Sequence, residues 1–323
     1  MEHYPLGRSP LKVSPIGLGC WQFSRQEGMV GRYWAKLSQE TVREIVRVSL
    51  ELGVNWFDTA EVYGKGASEQ SLGEALDELG VDRSRYVIAD KWFPALRFAG
   101  SIARTFAARE EALGGRSIDL HQIHQPYSLS SVDRQVAAMA ELQKQGRILA
   151  VGVSNFNEKR MRTAHDRLLR EGLHLATNQM PYNLIHRDIE RDGVLDAAKE
   201  LGITIIAYSP LAQGILTGKF HDGVDVRKSP GPRRFLKRFR PGGLAATRPL
   251  TRLLTRVGRD HNASPAQVAL AWTIQRHGNH IVAIPGATSV DQATSNAQAL
   301  GVRLSQEELD ELGRAGEAAE TKL

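Results

Sequence analysis

Asp58, Tyr63, Lys91 and His124 are residues able to hold or move a proton, and each stands at or just after the end of an apolar run. The run Asn55-Trp56-Phe57-Asp58 has strand character and ends in a carboxylate; Tyr63 follows five residues later, in a short loop closed by Gly64 and Gly66. Aspartate is almost never buried without a partner, so an aspartate at the tip of a buried strand needs a cation. The reading is that Asp58 pairs with Lys91, and that Lys91 tunes Tyr63 as a proton donor. A phenol of ordinary pKa, about 10, gives up its proton poorly at neutral pH unless its anion is stabilised, and an adjacent ammonium does that.

These residues must be brought together by the elements that carry them. The chain repeats one theme, a brief apolar strand, a loop and an amphipathic helix, with strands expected at 15–20, 54–58, 86–91, 120–124, 151–154, 176–179, 204–209 and 280–285. Helix starts are marked by Ser38, Ser68, Ser264-Pro265 with Gln267, and Ser305 with Glu308. Strands alternating with helices predict parallel pairing through right-handed crossovers, and eight such units close into a (β/α)8 TIM barrel. The fold expected is one α/β barrel over residues 1–323, with an N-terminal β-hairpin in 1–14 and an extra C-terminal helix. The long connection 210–243, rich in Gly, Pro and basic residues, is expected to cover a ligand. In such a barrel the strand tips Asp58, Lys91, His124, Ser154-Asn155, Asn178-Gln179 and Tyr208-Ser209 converge on one face, where barrel enzymes keep their chemistry.

Other chemistries fit less well. His121 and His124 look like paired metal ligands, but strand residues three apart point to opposite faces, and there is neither HExxH nor a cysteine cluster. No GxSxG elbow, Rossmann fingerprint or P-loop occurs. The single cysteine, Cys20, rules out an intrachain disulfide. With 41% hydrophobic and 24% charged residues, no signal-like N-terminus and no membrane-length apolar run, a globular cytoplasmic enzyme is expected, without a membrane or nucleic-acid partner. The net charge of +6 suits an anionic ligand or only a basic surface.

Taken together, Phe57-Asp58-Thr59-Ala60 with Tyr63-Gly64, Ser68-Glu69 and Leu72-Gly73, and Val151-Gly152-Val153-Ser154-Asn155-Phe156, resemble the aldo-keto reductases. So do Asn178-Gln179 with Pro181-Tyr182-Asn183, Ala207-Tyr208-Ser209-Pro210-Leu211 with Gly214, Leu216-Thr217-Gly218-Lys219, and Ile284-Pro285-Gly286. The resemblance is collinear over nearly the whole chain, and Gly218-Lys219 makes it closer to the bacterial and potassium-channel β-subunit branches. It implies hydride transfer from a nicotinamide cofactor to a small aldehyde or ketone, with Asp58, Tyr63, Lys91 and His124 as the catalytic tetrad. Asp90 departs from the family pattern, which has a small hydroxyl residue before the lysine; strand alternation turns it away from Lys91. Gln125-Pro126-Tyr127 replaces the usual acidic ending after the histidine and alters the pocket rim.

The resemblance also implies the cofactor contacts. Ser154, Asn155 and Gln179 are expected on the carboxamide, Tyr208 stacked on the nicotinamide, and Ser209, Leu211, Gln213 and Gly214 along the pyrophosphate. Gly286 opens the last turn, and Gln292 and Asn296 fall at the adenosine spacing. Thr288 stands where many NADP-preferring relatives have an arginine, which is compatible with NADH. Lys219, together with the basic segment 227–240, points instead to NADPH. Trp21, Trp34 and Trp92 are expected to line an apolar substrate pocket. The competing readings are a cofactor-binding regulatory or redox-sensing subunit with slow turnover, and a metal-dependent barrel hydrolase.

Overall fold

The computed structural model describes residues 2–226, 231 and 235–323. Strands β1 (Tyr4–Pro5) and β2 (Lys12–Val13) form an antiparallel hairpin. The remaining strands are β3 (Leu18–Gly19), β4 (Trp56–Asp58), β5 (Val87–Trp92), β6 (Leu120–Ile123), β7 (Ala150–Ser154), β8 (Leu175–Pro181), β9 (Thr204–Tyr208) and β10 (Ile281–Ala283). They pair in parallel, each with its neighbour in sequence, from β3 to β10. The sheet closes on itself: Gly17 N–H donates to Ala283 O (2.8 Å), Ala283 N–H to Pro15 O (2.9 Å) and Gly19 N–H to Pro285 O (3.1 Å). The result is the expected eight-stranded barrel, although its first strand is shorter than 15–20.

The helices are α1 (Gly28–Gly31), α2 (Gln39–Glu51), α3 (Ala67–Glu78), α4 (Ser101–Ala112), α5 (Val132–Lys144), α6 (Glu158–Leu169), α7 (Val194–Leu201), α8 (Pro241–Asp260), α9 (Pro265–Gln275), α10 (Val290–Gln298) and α11 (Gln306–Glu320). Capping boxes start α9 (Ser264, Gln267) and α11 (Ser305, Glu308), and Ser38 caps α2, as their sequences predict. Ser68 does not cap α3. It lies inside the helix, where its hydroxyl donates to Cys20 O (2.6 Å) and pairs with Thr59 Oγ1 (2.9 Å), while Gly66 takes the cap position. Helix α8 has no counterpart in the sequence reading. Gly242, Gly243 and the internal Pro249 disguise a helical face that buries Leu250, Leu254 and Val257. Among the described residues, no helix is long and apolar enough to cross a membrane.

Two apolar layers result from strand alternation. Outward residues such as Phe57, Ile88, Ile123, Val151, Val153 and Ile205 pack under the helices. Inward residues Trp56, Ala89, Leu120, Ala150, Ile206 and Val282 fill the barrel beneath the active face, plugged by Leu6, Leu11 and Val13 of the hairpin. Two residues further along the same strands the inward positions turn polar: Trp56 gives way to Asp58, Ala89 to Lys91, Leu120 to Gln122 and Ile206 to Tyr208. The apolar plug is therefore the floor on which the polar layer rests.

Candidate active site

Asp58 and Lys91 meet inside the barrel with almost no solvent exposure. Lys91 Nζ donates to Asp58 Oδ1 (2.5 Å) and to Thr59 O (2.7 Å). The other carboxylate oxygen, Oδ2, accepts from Gln179 Nε2 (2.9 Å) and Gln122 Nε2 (3.2 Å). Every strong acceptor of the carboxylate is thus met, which is the condition for burying an ion pair without a large penalty. Gln122 reaches inward because Gly152 lies beside it. A Cβ at Gly152 would stand 2.8 Å from Gln122 Cγ and 2.3 Å from Thr177 Oγ1, so any side chain there would displace the amide.

Burial opposes the charge on Lys91, but Asp58 and the neighbouring Tyr63 outweigh it, and the ammonium is held above its ordinary pKa. Its Nζ lies 5.0 Å from the centroid of the Tyr63 ring. Burial raises the Tyr63 phenol above its ordinary value, and Lys91 pulls against that rise without cancelling it. The phenol therefore stays protonated at neutral pH, with a cation beside it that would stabilise a phenolate. The ring stacks on Trp21 (5.9 Å between centroids) and meets the edge of His124 (5.6 Å). Burial and then the Lys91 charge hold His124 well below its ordinary pKa, so its imidazole is neutral. His121, three residues earlier, faces the other way and packs edge-on against Phe106 of α4 (5.1 Å).

A cavity of about 1030 Å³ opens over this cluster. It is lined by Asp58, Tyr63 and His124 and by Ser154, Asn155, Gln179, Tyr208, Ser209, Leu211, Gln213, Gly214, Lys219, Gly286, Thr288, Gln292 and Asn296. Lys91 lies behind that lining. Asn155 adopts a left-handed backbone (φ 61°); its amide donates to His124 O (3.3 Å) and Ser154 Oγ (3.0 Å), and its oxygen accepts from the Tyr208 hydroxyl (3.0 Å). Burial pushes the Tyr208 phenol up to about 12, so its hydroxyl stays a donor. At the turn after β9, Ser209, Ala212 and Gln213 all have positive φ, a concentration of backbone strain typical of ligand-binding turns, and Gly214 takes the same region without strain. Gly286 leaves room for Gln22: a Cβ there would meet the Gln22 amide at 2.2 Å. Thr288 N–H and Oγ1 both donate to Gln292 Oε1 (2.9 and 3.0 Å), and Asn296 Nδ2 donates to Gly286 O (3.3 Å).

Of the three tryptophans expected at the substrate end, Trp21 and Trp34 line the cavity and pack edge to face (5.6 Å). Trp92 does not. It points outward into the helix layer, is 1% exposed, and donates through Nε1 to Ser101 Oγ (3.1 Å). Strand alternation explains the correction, because Lys91 faces inward and its neighbour cannot. Phe93, Val30 and Val62 line the cavity instead, and neither they nor Gln122 stood out in the sequence. Gln122 was within reach of it, being two residues before His124 on one strand face. Val30 comes from α1, which only the folded chain brings to the barrel mouth. Within the basic segment, Arg227, Lys228, Arg233 and Arg234 lie outside the described residues; Lys237, Arg238 and Arg240 are not in the cavity lining.

Comparison with known proteins bears on the family and the fold. The profile of the Aldo/keto reductase family matches residues 15–317. An uncharacterised oxidoreductase of Mycobacterium tuberculosis (strain ATCC 25618 / H37Rv) is 42% identical over 308 residues, covering 95% of this chain and 90% of that protein. A putative voltage-gated potassium channel subunit beta of Schizosaccharomyces pombe (strain 972 / ATCC 24843) is 31% identical over 314 residues, covering 91% of this chain and 87% of that one. Among solved structures, the glycerol dehydrogenase of Gluconobacter oxydans superposes with a TM-score of 0.80 at 26% identity, covering 96% of this chain and 94% of that chain.

Proposed function

The chain belongs to the aldo/keto reductase family, and on that premise we propose that it reduces aldehydes or ketones to alcohols, with NADPH as hydride donor and Tyr63 as proton donor. The observation that carries this reading is the fully buried Lys91, fixed by Asp58 and Thr59 O with its charge beside the Tyr63 phenol. The cavity fits the cofactor. Its volume of about 1030 Å³ is at the upper end for ligand sites, its lining runs from Tyr63 and His124 to Gln292 and Asn296, and it presents two buried acceptors without a partner, Gln22 Oε1 and Gln213 Oε1. When bound, the nicotinamide supplies the hydride.

The chain's own residues do the rest. Tyr208 offers an aromatic face beside Ser154, Asn155 and Gln179, which together would hold the nicotinamide and its carboxamide. Ser209, Leu211, Gln213 and Gly214 would hold the pyrophosphate; Gly286, Thr288, Gln292 and Asn296 would hold the adenosine end. Neutral His124 can donate one N–H to the substrate carbonyl and orient it. Tyr63 then gives its proton to the developing alkoxide, and Lys91 stabilises the phenolate left behind. Trp21, Trp34 and Phe93 form an uncharged wall for the rest of the substrate.

Lys219 in the cavity wall supports NADPH, since a lysine there can meet the 2′-phosphate. NADH is the second reading: Asp291, in the first turn of α10, also lines the cavity and would repel that phosphate. A redox-sensing subunit is favoured only by the likeness to the S. pombe channel subunit, and it predicts slow oxidation with retained cofactor in place of multiple turnover. The test is Tyr63→Phe, expected to cut carbonyl reduction roughly 10²- to 10⁴-fold while cofactor titration stays near native. Near-native turnover would overturn the assignment. Lys219→Ala should weaken NADPH about 10- to 150-fold with NADH nearly unchanged, for one charge-assisted bond of roughly 1.5–3 kcal/mol.

A further inference from the structure

Asp90 follows Ala89 and precedes Lys91 on β5, so its side chain points out of the barrel into the layer under α3 and α4. It is 0% exposed, and neither of its oxygens makes a well-formed hydrogen bond, although the Lys91 backbone N–H lies near enough to favour its charge. The groups facing it come from every neighbouring element. Glu69 of α3 is also 0% exposed, and its Oε2 accepts from Arg109 Nη1 of α4 (3.0 Å) while Oε1 meets no donor. Glu61, in the loop after β4, accepts from Phe93 N–H (2.5 Å) and Arg97 Nη1 (2.5 Å), with Arg109 at 4.0 Å. His121 of β6 places Nδ1 4.0 Å from Asp90 Oδ2, too far for a hydrogen bond, and burial holds its pKa down to about 3. Lys91 lies on the opposite face of the strand.

The charge count is therefore uneven. Three carboxyls, Glu61, Glu69 and Asp90, face two guanidiniums, Arg97 and Arg109, and one neutral imidazole. A metal does not resolve the excess: among the described residues, no three acidic, His or Cys side chains could hold one. Asp90 and Glu69 come within side-chain hydrogen-bonding reach of each other, each with an oxygen that no donor satisfies, and between two carboxyls only a proton makes a hydrogen bond. Resting on the reading of Tyr63 as proton donor, we propose that Asp90 is a positioning residue that shares one proton with Glu69 and so keeps a second negative charge from forming behind Lys91. Burial is the main force holding that proton: it lifts Glu69 well above the carboxylate range, with Asp90 adding, and lifts Asp90 to about 7 against the Lys91 backbone N–H, Arg109 and the Lys91 charge, with Glu61 adding a little. When the proton leaves, the new charge strengthens the hold on the Lys91 ammonium and opposes the phenolate at Tyr63.

The consequence is a partial step in rate near neutral pH, distinct from the final loss when Tyr63 itself ionises. It is read in single-turnover oxidation of NADPH by benzaldehyde between pH 6 and 9. The native enzyme should slow by roughly two- to tenfold across the step, the effect of up to one unit of altered acidity. In Asp90→Asn, and separately in Glu69→Gln, the ratio of the rates at the two ends should fall to about one. A step that survives both substitutions, or a native profile without one, overturns the proposal. Should neither variant fold, the native protein still decides: a protonated buried carboxyl gives a C=O infrared band that shifts in D₂O and vanishes above neutral pH, and its absence at pH 6 overturns the proposal. If Tyr63→Phe retains turnover while the infrared band is present, it is the Tyr63 reading that has failed and not the shared proton.

Discussion

Lys91 and Asp90 are adjacent residues, both fully buried, on the two faces of one strand, and their surroundings are opposite in kind. On the inner face, one ammonium meets one carboxylate, and Thr59 O, Gln122 and Gln179 take up the remaining hydrogen-bonding capacity. On the outer face, an acid stands without a well-formed hydrogen bond at either oxygen, beside a second acid that lacks one at Oε1. The inner site is a matched ion pair, stable as long as both partners are present. The outer site is matched only through a proton, so it alone depends on pH in the neutral range. Ionic groups that sit only a strand's thickness apart can thus follow different rules, because burial leaves each to be balanced by its own neighbours.

Removing one partner tests the inner site most severely. Lys91→Met should leave the Asp58 carboxylate buried against amides alone and lower stability by about 3–5 kcal/mol, as removal of one member of a buried pair does. Chemical denaturation at pH 7 gives the value, and an unchanged midpoint would mean that the pair is solvated after all.

Asp90→Asn should act in the opposite sense. An acid whose folded pKa, about 7, lies above its unfolded value of about 3.9 makes the native state the better proton binder between those limits, so native stability falls as pH rises from about 4 to 7. The slope is at most about 1.4 kcal/mol per pH unit for one proton and vanishes above pH 7. Asparagine cannot ionise, so the difference in stability between variant and native protein should grow in the variant's favour over that range. Melts at pH 4.5 and 7.5 that move in parallel would contradict this. Glu190, whose pKa its hydrogen bonds from His277, Arg187 and Tyr182 hold down to about 2 against burial, adds stability from about pH 2 upward in both proteins and cancels in the difference.

Arg109→Met takes one guanidinium from the outer group and should cost about 1–3 kcal/mol, the range for a lost charged hydrogen bond. It should also move the neutral-pH step of Asp90 and Glu69 to higher pH, since a cation that favours ionisation is gone. The smallest effect is expected at Gln122→Met. Asp58 Oδ2 keeps its shorter bond from Gln179, so about 1 kcal/mol should be lost, and a much larger loss would show that Gln122 is needed to hold the carboxylate in place.

The sequence by itself carried the barrel, the polar strand tips and the separation of His121 from His124, because alternation along a strand and helix capping are local rules that need no knowledge of neighbours. It also placed Asp58, Lys91, His124, Ser154, Asn155, Gln179, Tyr208 and Ser209 on one face, since parallel strands joined by helices must point the same way, whereas the placement of Tyr63 and of the remaining proposed cofactor contacts came from the family resemblance. It missed α8, where glycines and a proline hide a helix that tertiary packing stabilises. It put Trp92 in the cavity, although the same alternation that aimed Lys91 inward turns its neighbour out. Only the tertiary structure showed that Gln122 and Gln179 complete the Asp58 carboxylate, and that burial outweighs Lys91 in setting the Tyr63 phenol. Only it showed how many charges surround Asp90. Each of these is a balance among groups from different strands and helices, and the distances and loss of solvent that decide such a balance do not exist until the chain has closed.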